Sequence, residues 1–287
     1  MGLKMIVLVK QVPDTKNITG DAMKEDGTVN RAVLPAIFNP EDLNALEEAL
    51  KIKDRIGGTI VVATMGPLNA INVLKDCLNR GADDAILLSD RKFAASDTLA
   101  TSYALKCLID RIGQYDLILC GRQAIDGDTA QVGPQVAEKL GINQISFVTE
   151  IIEAGDKSLT VKRSIDGGYE IVRGNYPVLL TVTGEANEPR GPKAKRLLSY
   201  KNLVSQFEEA GSDYQYPCSD FICTYIKEWN AETVNADIKK CGMSGSPTRV
   251  KKVESVVLTA HDVRRVENSD DEIGNLIQEL VEEHIIG

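Results

Sequence analysis

Residues 116–133 read DLILCGRQAIDGDTAQVG, which is a short apolar run, a glycine-rich polar loop and the start of an amphipathic segment. The apolar run, Asp116–Cys120, has the length and composition of a strand that is buried on both faces. The segment after the loop, near residues 129–140, has helical spacing. A buried strand, a loop and a helix in this order are typical of a parallel sheet that is covered by helices.

The same alternation extends from residue 3 to about residue 150. Asn39-Pro40 offers a start for the first helix, with asparagine as N-cap and proline at the first helical position. The other predicted strands are Leu3–Val9, Thr59–Thr64, Ala85–Leu88 and Gln144–Val148. The predicted helices lie near residues 41–56, 68–80, 97–112 and 129–140. We therefore predict an α/β fold in which a doubly wound parallel sheet carries helices on both faces.

After residue 150 the pattern changes. Ser158–Ser164 and Tyr169–Arg173 flank Asp166-Gly167-Gly168, which predicts a β-hairpin. Pro177–Thr183 is a further apolar strand. The hairpin and this strand are expected to belong to the same α/β domain as the parallel sheet, for which we predict residues 1–186.

The remaining residues, 187–287, are predicted to form a recognition segment and an extended C-terminal arm. Residues 187–255 are irregular and rich in proline and charge, so they cannot bury much surface by themselves, and a packed partner is one way in which they could become ordered. Ser269–Ile286 is an amphipathic helix, and Ser269 with Glu272 fits a capping box. Packing of this helix on its own domain is the alternative.

The composition argues against several classes of function. The formal net charge of −9 is unsuited to nucleic acid, which needs a basic surface. The six cysteines include no Cys-x-x-Cys pair and there are two histidines, which argues against a metal centre held by this chain alone. No apolar run approaches the roughly 20 residues of a transmembrane helix, and no signal peptide is apparent, so we expect a cytoplasmic protein.

The loop that begins at Gly121 has the features of a ligand site, because ligands of open parallel sheets bind beyond the carboxyl ends of the strands. Backbone N–H groups at the helix start, with the Thr129 hydroxyl, suit a phosphate. Glycines in the loop let a ligand approach the backbone, and Asp126 and Asp128 are suited to accept hydrogen bonds from ribose hydroxyls or to cap the helix. Pro134 leaves open a helix start near residue 133, which would lengthen the loop.

A plain strand–helix turn would explain the same residues without a ligand. Neither standard phosphate loop is present: Lys10-Gln11-Val12-Pro13-Asp14 follows the first strand where a dinucleotide fold has Gly-x-Gly-x-x-Gly, and no Walker motif occurs. Physical reasoning from the residues alone therefore leaves the ligand open.

The run Gly121–Gly133 resembles the signature of electron transfer flavoprotein beta subunits. Other matches stand in the family's order: Val9-Lys10-Gln11-Val12-Pro13-Asp14, Asn39-Pro40, Leu46-Glu47-Glu48-Ala49, Met65-Gly66-Pro67, Gly81-Ala82-Asp83 and Asn187-Glu188-Pro189-Arg190. Together they cover roughly residues 3–202.

The resemblance implies an adenine nucleotide in this subunit and an arm that reaches the alpha subunit. The implied pocket residues are Leu8, Asn39, Met65, Gly121, Arg122, Gln123, Ala124, Ile125, Asp126, Gly127, Asp128, Thr129, Ala130, Gln131 and Val132. Asn39 has a competing role as a helix cap, and Met65 as a core residue. No catalytic residue is implied; Arg122 and Gln123 are candidates to position or tune a flavin.

Two stretches resemble the electron-bifurcating branch of the family: residues 88–102, LSDRKFAASDTLATS, and Gly245–Thr248, which basic residues follow. Asp90, Phe93 and Thr98 thereby join the implied cofactor-binding residues, and Ser96 or Asp97 is expected to cap the helix that begins there. In that branch the beta subunit binds FAD and accepts hydride from NADH. Electrons then pass to the alpha-subunit flavin and to a low-potential acceptor, ferredoxin or flavodoxin.

Two alternatives remain. Conventional family members keep a structural AMP in this subunit. A stand-alone adenine-nucleotide-binding sensor would need neither a flavin nor a partner.

In this family, the segment that follows Asn187–Arg190 contacts a dehydrogenase. For this chain the resemblance implies a dehydrogenase of the acyl-CoA type or a quinone-linked one. A leucine and later a methionine are frequent there, and this sequence has Ala194 and Leu198 in their places. The basic residues of the segment suit an acidic partner surface, although a solvated face would explain them equally.

Overall fold

The computed structural model describes residues 2–14, 34–201, 203, 226–248 and 265–282. Its strands are β1 (Leu3–Leu8), β2 (Gln11–Pro13), β3 (Ala36–Phe38), β4 (Gly58–Met65), β5 (Asp84–Leu88), β6 (Leu117–Gly121), β7 (Asn143–Ala154), β8 (Ser158–Ile165), β9 (Gly168–Asn175), β10 (Val178–Val182) and β11 (Lys227–Trp229). β2 and β3 form a small antiparallel ribbon, and the other nine strands form one sheet.

The strand order of the large sheet is β11-β5-β4-β1-β6-β10-β7-β8-β9. Neighbours from β11 to β7 are parallel, whereas β7, β8 and β9 are antiparallel to one another. The chain runs from β1 outward to β4 and β5, and then returns to β6 on the other side of β1. Such a reversal leaves a crevice at the carboxyl ends of the two central strands.

The helices are α1 (Pro40–Ile56), α2 (Ile71–Arg80), α3 (Thr98–Ile112), α4 (Val132–Leu140), α5 (Ala194–Ser199), α6 (Gly242–Gly245) and α7 (Asp270–Glu282). α1 and α2 contribute Leu46 and Leu74 to the core on one face of the sheet. α3 and α4 contribute Leu108 and Val136 to the core on the opposite face. The predicted doubly wound α/β fold is confirmed.

β1 shows why its residues form a central strand. Met5 and Val7 pack in the first core, and Ile6 and Leu8 pack in the second. Because successive side chains of a strand point to opposite faces, a run that is apolar throughout is buried on both. Complete burial of one such side chain contributes about 1.5–3 kcal/mol.

The hairpin predicted after residue 150 is present and extends the sheet. β8 pairs with β9 from Ser158 to Ile165, and Gly167 adopts a φ of 78° in the turn between them. β7 is longer than predicted, because residues beyond Val148 pair with β8. The predicted strand, Gln144–Val148, covers only the first part of β7, which pairs in parallel with β10.

Residues 226–248 also differ from the expected irregular arm. β11 pairs in parallel with β5, and Ala231, Val234 and Cys241 are buried in the second core. This segment therefore covers one edge of the sheet. The sequence gives little sign of it, because β11 is three residues long and its partner strand is distant in the chain.

The predicted C-terminal helix is present as α7. None of its side chains is buried, and Ile273, Ile277 and Val281 are exposed. Residues 283–287, the end of the predicted helix, lie outside the described residues. No helix in the described part of the chain has the length and apolar character needed to cross a membrane.

Candidate functional site

The crevice between β1 and β6 is closed at its base by Asp42, in the first turn of α1. Asp42 Oδ1 accepts a hydrogen bond from Gly121 N at 2.8 Å, and Oδ2 accepts one from Lys10 N at 2.9 Å. Burial raises the pKa of this carboxyl from its ordinary 3.8 to about 7, and the hydrogen bonds from Gly121, Asn39 and Lys10 offset only part of that effect.

The raised pKa predicts an unusual pH dependence of stability. Ionisation of Asp42 opposes folding, so the associated stabilisation is complete below pH 3.8 and is lost as the pH rises to about 7. Relative to an Asp42→Asn variant, which has no carboxyl to titrate there, the wild-type free energy of unfolding should fall by about 4 kcal/mol across that window.

Denaturant unfolding of both proteins between pH 4 and pH 8 would measure this difference. Infrared difference spectra of wild type minus variant should show one carboxyl band with a midpoint near 7. A midpoint near the ordinary value of 3.8 would contradict the prediction.

Asn39 holds the loop that follows β6. Its side chain is fully buried; Nδ2 donates to Gln123 O at 2.9 Å, and Oδ1 accepts from Ile125 N at 3.1 Å. Although Asn39 occupies the N-cap position of α1, it makes no side-chain capping hydrogen bond. The interpretation of its side chain as a helix cap is therefore wrong.

Glu41 anchors the first two residues of the loop. Glu41 Oε2 accepts a hydrogen bond from Gln123 N at 2.9 Å, and Oε1 pairs with Arg122 Nη2 at 3.0 Å. The Arg122 guanidinium also lies 5.9 Å from the ring centroid of Phe147. Gln123 Nε2 in turn donates to Asp128 Oδ1 at 3.0 Å. The charge of Arg122 is thus fixed at the edge of the crevice.

Lys10 links the loop to a neighbouring cleft. Its Nζ lies 2.7 Å and 2.8 Å from the two carboxylate oxygens of Asp126. The same lysine lines an open cleft of about 330 Å³ together with Val12, Leu34 and Met65. Met65 lines the cleft and also packs against the second core, as its expected role as a core residue requires.

The loop reaches α4 through a constrained backbone. Asp128 and Ala130 have φ values of 48° and 51°, a left-handed conformation that non-glycine residues rarely adopt outside functional sites. α4 begins at Val132, so the prediction of a start at 129 is corrected and the loop is longer. Pro134 lies in the first turn, where its missing N–H leaves no helical hydrogen bond unmade.

Two glycines of this region are required by packing within the protein. A Cβ on Gly121 would lie 2.6 Å from Asp42 Oδ1, and a Cβ on Gly133 would lie 2.8 Å from Thr181 Cγ2. At these two positions glycine is therefore required by contacts within the protein. Around Gly127 a Cβ would find no atom within 4 Å.

The other expected residues are distributed as follows. Leu8 and Phe93 are each 5% exposed and pack in the second core. Asp90 accepts hydrogen bonds from Lys92 N and Ala231 N. Thr98, the first residue of α3, donates to Gln131 Oε1 at 3.0 Å and so contacts the loop. Of these residues, Thr98 contacts the loop, whereas Phe93 is buried in the second core.

Ala124, Thr129 and Val132 complete the expected set. Ala124 O accepts hydrogen bonds from Gly127 N and Asp128 N, which turns the loop. Thr129 is exposed, and Val132 opens α4. Lys10, Glu41 and Asp42 were not among the predicted site residues. Glu41 and Asp42 were missed because acidic residues in a first helical turn are a common electrostatic feature of helices.

Fold and site together define a doubly wound α/β protein with a ligand crevice at its topological switch point. Residues 26–203 match the model of the electron transfer flavoprotein domain. The chain belongs to the electron transfer flavoprotein family, and its full-length relatives place it with the beta subunits.

Three relatives align with 99% of this chain and with 100% of their own length. Electron transfer flavoprotein subunit beta of Thermoanaerobacterium thermosaccharolyticum is 39% identical over 284 residues. Caffeyl-CoA reductase-Etf complex subunit CarD of Acetobacterium woodii is 39% identical over 286 residues. Acryloyl-CoA reductase electron transfer subunit gamma of Anaerotignum propionicum is 38% identical over 294 residues.

Proposed function

We propose that this chain is the FAD-holding beta subunit of a heterodimeric electron transfer flavoprotein that oxidises NADH and bifurcates its electrons. One electron reaches the alpha-subunit flavin, and the other reaches ferredoxin or flavodoxin. The observation that carries the proposal is the loop of residues 121–131, which Asn39, Glu41 and Asp42 hold at the switch point.

The residues present fit an adenylate. The first turn of α4 offers backbone N–H groups, and no side chain caps it, so an anion has donors there. Asp128 and Thr129 are exposed on the loop. Asp128 can accept hydrogen bonds from ribose hydroxyls, and Thr129 can donate one to a phosphate oxygen. The loop backbone is already held in a constrained conformation, which lowers the entropy lost on binding.

The bound flavin supplies hydride acceptance and one-electron transfer, and the chain supplies position and charge. Arg122 is held by Glu41, so a positive charge is available at the crevice without a large conformational cost. A fixed positive charge favours a neighbouring anion. No side chain of this chain needs to act as a nucleophile.

A partner is supported by the C-terminal helix. α7 presents Ile273, Ile277 and Val281 on its surface, and no described residue buries them. Apolar stripes of this kind mark protein interfaces. We propose that α7 packs against the alpha subunit. A stand-alone sensor would have no use for such an exposed apolar stripe, so this feature argues against that alternative.

The recognition segment is fastened to the domain and leaves an apolar side chain exposed. Arg190 pairs with Glu47, and Arg196 Nη1 donates to Leu78 O and Ala82 O at 3.0 and 2.8 Å. Leu198, in α5, is 77% exposed. We propose that it contacts a dehydrogenase of the acyl-CoA type, as the names of the two CoA reductase relatives suggest, with a quinone-linked dehydrogenase as the alternative.

The conventional alternative is a structural AMP in place of the FAD. The cleft of about 330 Å³ beside Lys10 does not favour either cofactor, because none of the loop residues 121–131 lines it.

Cofactor content tests the proposal directly. The chain is co-expressed with its alpha subunit, the complex is purified and denatured, and FAD and AMP are separated and counted. We expect two FAD and no AMP per heterodimer. One FAD with one AMP would establish the alternative, and a complex without any adenine compound would contradict both.

A further inference from the structure

Asp97 connects two segments that are far apart in the sequence. Its Oδ1 accepts a hydrogen bond from Ala100 N at 3.0 Å and so caps α3, as the sequence predicts. Its Oδ2 accepts two hydrogen bonds from Thr248, from Oγ1 at 2.7 Å and from N at 3.2 Å. Asp97 N donates to Ser246 Oγ at 2.8 Å. The helix cap and the arm therefore share one carboxylate.

The arm is closely fitted at this point. Gly242 has a φ of 54°, and a Cβ there would lie 2.4 Å from Lys92 O and 2.9 Å from Ala94 O. Ser246 Oγ also donates to Gly242 O at 2.7 Å, which holds the arm turn together. Only a glycine allows this approach, so the turn of residues 242–248 is seated directly on the segment before α3.

The capped end of α3 in turn contacts the cofactor loop. Thr98 Oγ1 donates to Gln131 Oε1 at 3.0 Å, and Gln135 Nε2 donates to Thr98 Oγ1 at 3.4 Å. Gln131 is the last loop residue before α4. The hydrogen bonds of Thr248 to Asp97 and of Thr98 to Gln131 therefore connect the arm to the loop through the peptide bond between Asp97 and Thr98.

We propose that Asp97 is a positioning residue that couples the C-terminal arm to the cofactor loop. This inference rests on the proposed function insofar as the loop holds a nucleotide. The arm segment of residues 242–248 sets the position of the α3 N-terminus, and that terminus sets Gln131. By linkage, whatever orders the arm also strengthens cofactor binding, and bound cofactor orders the arm.

The carboxylate of Asp97 lies at the N-terminus of α3, where Oδ1 accepts the hydrogen bond from Ala100 N. Partial burial opposes ionisation, but the hydrogen bonds from Ala100 and Thr248 outweigh it and lower the pKa of Asp97 below its ordinary value. The Asp97 carboxylate therefore stays charged throughout the neutral range and remains a hydrogen-bond acceptor for Thr248 and Ala100.

The test uses the purified heterodimer and two variants. Thr248→Val removes the hydroxyl donor at nearly constant size. Asp97→Asn keeps an oxygen for Ala100 N and places an amide donor opposite Thr248. Thr233→Val is the matched control, because Thr233 lies outside residues 242–248 and, within the described part of the chain, its hydroxyl donates to the nearby Asn230 Oδ1 at 2.9 Å. Thr248→Ser restores a hydroxyl and should behave as wild type.

Two quantities are measured: amide hydrogen exchange of residues 98–101 and 127–133, and the dissociation rate of the adenine cofactor. We expect Thr248→Val and Asp97→Asn to raise both by about tenfold, a typical coupling between sites. The control and Thr248→Ser should leave both unchanged.

Faster exchange confined to residues 242–248, with wild-type loop exchange and cofactor release, would overturn the inference. The exchange measurement reads the loop itself, so it decides the inference whether the cofactor proves to be FAD or AMP. A complex that lacks any adenine compound would contradict the proposed function, and the exchange measurement would still decide the inference about Asp97.

Discussion

Replacement of Gly121 by alanine is expected to abolish nucleotide retention. The new Cβ would lie 2.6 Å from Asp42 Oδ1, 2.8 Å from Asp42 N and 2.8 Å from Glu41 C. Two of these atoms belong to the α1 backbone, so the strand or the helix must move. Overpacking of this kind costs about 1–3 kcal/mol, and loss of the Gly121 N hydrogen bond to a buried carboxylate adds a similar amount.

The expected total of about 2–6 kcal/mol is measurable by denaturant unfolding, and the nucleotide content follows from chromatography of the denatured protein. Gly184→Ala is the matched control. Gly184 follows β10, the neighbour of β6, and a Cβ there would find no atom within 4 Å. We expect this control to stay within about 0.5 kcal/mol of wild type. If Gly121→Ala kept wild-type stability and nucleotide content, the close approach of Gly121 to α1 would not be the reason for a glycine at this position.

The second large effect is expected for Asn39→Ala. The variant leaves Gln123 O and Ile125 N without their buried partner, at a cost of about 1–3 kcal/mol for each group. Because both groups belong to the cofactor loop, much of the loss should appear as weaker nucleotide binding. We expect the dissociation constant to rise about a hundredfold, which corresponds to about 3 kcal/mol. Titration calorimetry or fluorescence of the apoprotein with nucleotide would measure it.

A serine at the same position separates the two possible roles of Asn39. Serine is a good helix cap, but it is too short to bridge two loop groups. We therefore expect Asn39→Ser to be as defective as Asn39→Ala, and recovery in the serine variant would show that capping matters after all. Asn143→Ala, at an exposed asparagine that opens β7, is the control and should bind nucleotide normally.

The parallel core was predictable from the sequence because its signal is local. Strands such as β1 and β6 are apolar along their whole length, and glycines follow the helices that separate them. These patterns arise within a few residues of one another. The hairpin of β8 and β9 was predictable for the same reason, since its turn residues lie between two short strands.

The groups that hold the crevice were not predictable from local patterns. Glu41 and Asp42 look like acidic residues that favour the start of α1, and nothing nearby shows that they bond to Gly121 and Gln123. Those bonds join residues about 80 positions apart. The hydrogen bonds between Asp97 and Thr248 were not predictable for the same reason. Both stretches resembled the same branch of the family, but only the tertiary structure shows that they are in contact.

The place of β11 has a consequence for the order in which the protein is completed. During synthesis β5 is finished long before residues 227–229 leave the ribosome, and until then its outer edge has unpaired N–H and C=O groups. Such an open edge is a template for association with other chains, and pairing of such distant segments is slow. Nascent or truncated chains that end before Lys227 are therefore exposed to misassembly at β5, and docking of the late strand removes that hazard.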